Sequence, residues 1–174
     1  MNRASQYYKH YFNRFYEAMK RLGIVSTLHG FLILWTLLLA LWIYLYSIRH
    51  GGVTNWDGFE RLGWAAQIWY DFRHGDGFHL WRHTNSQVIW PFLHSWITGF
   101  LFVLLGPSMA VARLLSLLAF LGVSLGIVYR FSRRKTPYAL VGGTVAWGLL
   151  TTSPLLVENT ATIMSEWFGL FLVF

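Results

Sequence analysis

One uninterrupted apolar run, Ile24–Tyr46, limits what this chain can become more than any other feature, because it contains no Asp, Glu, Lys or Arg. As a helix its ~23 residues would extend ~35 Å, more than the ~30 Å hydrocarbon core of a bilayer. The run therefore predicts a transmembrane helix, with Trp42, Tyr44 and Tyr46 as aromatic anchors at its outer end. It is too long for a signal-peptide core and no small-residue cleavage site follows it, so it is expected to stay in the protein.

Composition agrees. Hydrophobic residues make up 55% of the chain and charged residues 12%, against about a quarter charged in soluble domains. The net charge of +7 comes from 14 Lys+Arg and 7 Asp+Glu. These basic residues sit in short clusters beside apolar runs, as in the cytoplasmic loops of membrane proteins. No nucleic-acid partner is expected. Without cysteine there is neither a disulfide framework nor thiol chemistry.

The pattern predicts an all-α, polytopic transmembrane protein with its N-terminus in the cytoplasm of a multi-pass cell-membrane topology. Residues 1–23 carry Arg3, Lys9, Arg14, Lys20 and Arg21 against Glu17, with Tyr8, Tyr11, Phe12, Phe15, Tyr16 and Met19 at helical spacing. They read as an amphipathic helix on an anionic membrane surface. After the helix at 24–46 comes an outer loop, 47–107, where the basic bias vanishes. Within it Phe59, Leu62, Ala66, Trp69 and Tyr70 mark one helical face. Gly75-Asp76-Gly77 ends that helix.

The segment Val88–Gly106 is apolar enough to span or to lie at the interface. Charge favours the second arrangement. Arg130, Arg133, Arg134 and Lys135 follow the next apolar run, and the positive-inside rule puts them in the cytoplasm only if Val88–Gly106 does not cross. The expected order is then a second span at 108–130, a basic loop at 131–136, a third span at 137–153, an outer turn at 154–160 and a fourth at 161–174. That last segment has only ~14 residues, too few to cross, so the chain is expected to be a fragment or a truncated product.

Acids gather on the outer side: Asp57 and Glu60 at the start of the loop helix, Glu158 and Glu166 around the last helix. Asp57 also suits an N-cap. Glu166 sits among apolar residues, where a carboxylate costs on the order of 3 kcal/mol and usually marks function, unless it snorkels or ties to Arg113. His74, His79, His83 and His94 with Asp71 and Asp76 match no tight ligand motif. No cofactor is expected, although a divalent metal is not excluded. Arg82 and His83 suit a phosphate head group.

In sequence order, the chain presents Trp56-Asp57-Gly58, Gly75-Asp76-Gly77-Phe78, Trp90-Pro91-Phe92-Leu93-His94-Ser95-Trp96, Leu105-Gly106-Pro107 leading to Ala112-Arg113-Leu114, and Thr160 to Trp167 around Glu166. This order resembles the N-terminal third of GT-C class glycosyltransferases, in particular the protein O-mannosyltransferase and lipid A aminoarabinose transferase group. The resemblance implies transfer of a sugar from a polyprenyl-phosphate donor to an acceptor hydroxyl, on a protein or glycolipid, outside the membrane. It places Asp57 at the catalytic centre, with Glu60 as the alternative because Gly58 follows Asp57, and it makes Glu166 the second acid. Arg82 and Arg113 would stabilise the departing lipid phosphate. A non-catalytic membrane scaffold and a transporter fragment with Glu166 as ion site are the rival expectations.

Overall fold

The computed structural model describes residues 3–49, 56–87, 92–134 and 136–161, all of them in helices or the short turns between them. Helix α1, Arg3–Arg21, ends in Lys20 and Arg21, where cations offset the free carbonyls. Tyr16 and Met19 turn into the core, whereas Tyr11, Phe12 and Phe15 are exposed. Gly23, at φ 73°, makes the left-handed turn that a side chain would strain, and α2 follows over Ile24–Ile43. A π-helical turn, Tyr44–Ile48, completes that helix.

Helices α3 (Trp56–His74), α4 (Gly77–Asn85) and α5 (Phe92–Leu105) form the next group. Gly75, at φ 66°, separates α3 from α4, where the sequence predicts a break. Gly106, at φ 85°, turns the chain from α5 into α6, Met109–Arg134. Ser108 Oγ accepts the Val111 amide at 3.2 Å and caps α6. Helix α7, Pro137–Thr152, is capped by Thr136 Oγ1, which accepts from the Ala139 amide. Extended Ser153 then leads into α8, Pro154–Ala161.

Two of the described helices are long and apolar enough to cross a membrane: Ile24–Tyr46 and Met109–Arg134. Helix α5 has 14 residues, ~21 Å as a helix, which is shorter than a hydrocarbon core. One hydrophobic core joins α1, α2, α6 and α7 through Leu32, Ile43, Phe120, Val123 and Trp147. The Trp147 indole donates to Thr36 Oγ1 at 2.9 Å, fixing α7 against α2 in buried surroundings.

The Phe12 ring stacks on Tyr138 at 5.3 Å and His29 lies 5.2 Å from Phe131. These contacts bring α1, the end of α6 and the start of α7 to one end of the bundle. The π-turn, the start of α6 and α8 occupy the other. A second, smaller core of Ala65, Phe102 and Ala112 joins α3 and α5 to the first turns of α6, at that other end.

Two expectations need correction. The basic stretch from Arg130 to Arg134 is helix rather than loop, because Arg is a good helix former and its charge favours a C-terminus. Residues 154–160 are not a turn, since Pro154 at the first helical position starts α8. The face of α3 that packs inward is offset from the apolar stripe of Phe59, Leu62, Ala66, Trp69 and Tyr70. Arg61, Ala65, Ile68 and Asp71 are buried, Leu62, Ala66 and Trp69 flank them, and Phe59 and Tyr70 are exposed. The segment expected as a fourth span lies outside the described residues beyond Ala161.

The choice of buried face follows from α5. A Cβ built on Gly99 would lie 2.8 Å from Ile68 Cγ2 and 3.2 Å from the Ala65 carbonyl oxygen, so α5 approaches α3 through a bare backbone. Gly99→Ala should cost about 1–3 kcal/mol by overpacking. Thermal unfolding in detergent would measure that loss, and Ile68→Ala in the same chain should restore part of it.

Candidate functional site

The junction of α3, α5 and the start of α6 gathers most of the buried charge among the described residues. Arg61 is 2% exposed, His94 2% and Arg113 0%. Arg61 lies on the face that carries Ala65 and Ile68, so packing of that face against α5 takes the guanidinium inside. Arg113 follows Ala112, whose methyl belongs to the small core with Ala65 and Phe102. A guanidinium does not lose its proton under any ordinary condition, so two permanent positive charges are enclosed at this end of the bundle.

His94 answers to the same surroundings. Burial, reinforced by the nearby positive charge of Arg61, pushes its imidazole down to about 4, which leaves it neutral at pH 7. Ser95 and Thr98, on the same side of α5, are buried beside it. A polar seam therefore runs along the inward face of an otherwise apolar helix.

Helix α4 adds two histidine–carboxylate contacts. Asp76 caps α4, accepting the His79 amide at 3.0 Å, and its second oxygen meets His79 Nδ1 at 2.6 Å. Buried Asp71 of α3 meets His83 Nδ1 at 2.6 Å. The Trp96 indole donates to Thr84 Oγ1 at 2.9 Å and its ring packs edge-on against Phe72. These contacts pin α4 to α3 and α5. Among the described residues no three His, Asp or Glu side chains converge on a metal position.

Hydrogen bonds from the His79 amide and ring hold the Asp76 carboxyl below its ordinary value of 3.8. Its contribution to α4 is complete above that value and is lost as pH falls through the lower, folded-state value. Amide exchange at His79 should therefore accelerate in strongly acidic solution, and Asp76→Ala should show the faster exchange already at neutral pH.

The structure treats the expected site residues differently. Asp57 falls in the first turn of α3 rather than at its N-cap, because the helix begins at Trp56; its side chain lies outside the described residues. Glu166 lies wholly outside them. Glu60, in the same first turns of α3, is exposed, as is Glu158 in α8. Arg82 is exposed on α4, whereas the Nδ1 of its neighbour His83 meets Asp71.

Arg113 is fully buried at the foot of the α5–α6 turn. Sequence reasoning missed Arg61 and the burial of His94. The available signal was the spacing of Arg61 with Ala65 and Ile68, one helical face shared by a cation and two apolar residues.

The chain matches no protein-family model, no curated protein and no solved structure.

Proposed function

We propose that this chain belongs to a multi-pass membrane glycosyltransferase that moves a sugar from a polyprenyl-phosphate donor to an acceptor hydroxyl on the extracytoplasmic side. The observation that carries the reading is the enclosure of Arg61 and Arg113 where α3, α5 and α6 meet, at the end opposite the basic α1–α6–α7 junction. A departing polyprenyl phosphate develops negative charge, and fixed cations in a water-poor setting stabilise it more than they would in bulk solvent. Asp57 and Glu60 stand at the start of the same α3 that carries Arg61. Either carboxylate, one per candidate site, would take the proton of the acceptor hydroxyl.

The membrane topology belongs to the same proposal. Arg14, Lys20, Arg21, Arg130, Arg133 and Arg134 lie toward one end of the bundle, which the positive-inside rule assigns to the cytoplasm. Helices α3, α4 and α5 then lie outside, with α5 as an interfacial rather than a spanning helix. The glycosyltransferase assignment rests on the order of motifs together with the two enclosed arginines, and no family match adds to it.

The test is sugar transfer in membranes carrying the protein, with a synthetic polyprenyl-phosphate sugar as donor. Label should pass to a hydroxyl acceptor in the wild type, and Arg113→Gln should lower the rate at normal expression. Absence of transfer with any polyprenyl-phosphate sugar would leave only the membrane assignment standing.

A further inference from the structure

A groove of about 590 Å³ lies between α6 and α7 at the end of the bundle remote from the buried arginines. That volume suits part of a lipid rather than a small ion. Its walls divide by chemistry. Ile127, Phe131, Ala139 and Ala146 make an apolar trough, while Arg130 and Arg134, one turn apart, line it near the end of α6.

Two glycines shape the trough. The Phe131 ring lies directly over Gly143, where any Cβ would overlap it. Gly142 also lines the groove, but a Cβ built there meets nothing within 4 Å. The depression therefore exists partly because Gly142 carries no side chain. A slot with apolar walls and two guanidinium groups along its rim complements one kind of molecule, an amphiphile with an anionic head.

We infer that this groove binds an anionic phospholipid, with an acyl chain in the trough past Gly142 and the phosphate at Arg130 and Arg134. The inference rests on α6 crossing the membrane, which would place its last turn at the level of the head groups; it does not depend on sugar transfer. Basic pockets between membrane helices recognise such head groups by charge-assisted hydrogen bonds. Arg133 supplies the internal comparison. It is exposed on the same turn, its guanidinium sits 5.2 Å over the Tyr129 ring, and it does not line the groove. Diffuse attraction to an anionic surface would treat Arg133 and Arg134 alike, and a groove would not.

The experiment is native mass spectrometry of the detergent-purified chain titrated with dioleoyl phosphatidylglycerol or dioleoyl phosphatidylcholine. Retention of phosphatidylglycerol over phosphatidylcholine is the expected result. Arg130→Gln and Arg134→Gln should each weaken phosphatidylglycerol about fivefold, while Arg133→Gln leaves it unchanged. Gly142→Leu, whose Cβ would meet nothing within 4 Å, should fill the trough and weaken both lipids at unchanged helix content.

An Arg133→Gln loss equal to that of Arg134→Gln would overturn the groove in favour of diffuse charge. Unchanged binding in Gly142→Leu would overturn the acyl-chain position. Alkaline carbonate extraction separates this inference from the membrane reading. A chain that stays in the pellet but shows no lipid preference refutes only the groove, whereas a chain released to the supernatant refutes both.

Discussion

Asp57→Asn should lower sugar transfer by about 10²–10⁴-fold, the usual contribution of a positioned general base. Asparagine keeps the size of the side chain and its place in the first turn of α3 but cannot accept the acceptor's proton. The loss should fall on kcat, with donor KM little changed, because in the proposed transfer the carboxylate would act on the acceptor oxygen rather than on the lipid phosphate. Glu60→Gln is the companion measurement. Glu60 lies three residues further along the same helix and is exposed, so it is the alternative base. A large loss in Glu60→Gln with near-normal Asp57→Asn would move the role by one turn. Wild-type rates in both would remove the α3 carboxylates from the proposed mechanism and leave the general base unassigned.

The second large effect concerns pH. His94 titrates at about 4 in the folded protein, against an ordinary 6.5. Between those values the unfolded chain binds a proton that the folded chain refuses, so stability rises with pH across the interval. Stability is therefore fully present above about 6.5 and is lost as pH falls toward about 4. The difference corresponds to roughly 3 kcal/mol at its full extent. Thermal unfolding in detergent across this range should show a falling midpoint on acidification. His94→Gln should flatten the profile while lowering the plateau, since glutamine packs less well in the same space. A wild-type profile that is already flat would show that His94 gains its proton without disturbing α3 and α5.

Much of the architecture was legible because it depends on counting. The uncharged run beginning at Ile24 and the apolar run ending before Arg130, broken only by Arg113, announce two long helices through length and apolarity, and α2 and α6 lie where those runs predict. Gly75 and Gly106 were legible as breaks because each carries a positive φ that other residues avoid. The C-terminal limit of α6 was misread because basic clusters suggest loops, whereas Arg133 and Arg134 continue the helix and favour its negative end.

The candidate site was less legible for a different reason. A helix whose two faces are both apolar has no unique inward stripe, and Phe59 and Tyr70 look as core-like in sequence as Ala65 and Ile68. What selects the buried face of α3 is the missing side chain at Gly99, roughly thirty residues beyond Ile68 and recognisable only once α5 is packed against it. That long-range choice carries Arg61 inside and leaves Phe59 exposed. The pairing of His83 with Asp71 likewise depends on α4 folding back beside α3, which local pattern does not specify.

The hydrogen bond between Trp147 and Thr36 bears on how the chain is made. Its partners are separated by 111 residues, so at ribosomal speeds of about 5–20 residues per second α2 is finished roughly 6–20 s before Trp147 exists. Helices α3, α4 and α5 contact one another within a short stretch of sequence and have no such wait. During the delay Thr36 is not left as an unsatisfied hydroxyl, because it donates to its own helix at the Leu32 carbonyl, 2.8 Å away. Its oxygen keeps lone pairs for the indole that arrives later. The nascent α2 can thus stand alone as a self-contained rod, and α7 docks onto an acceptor kept ready for it from the moment of synthesis.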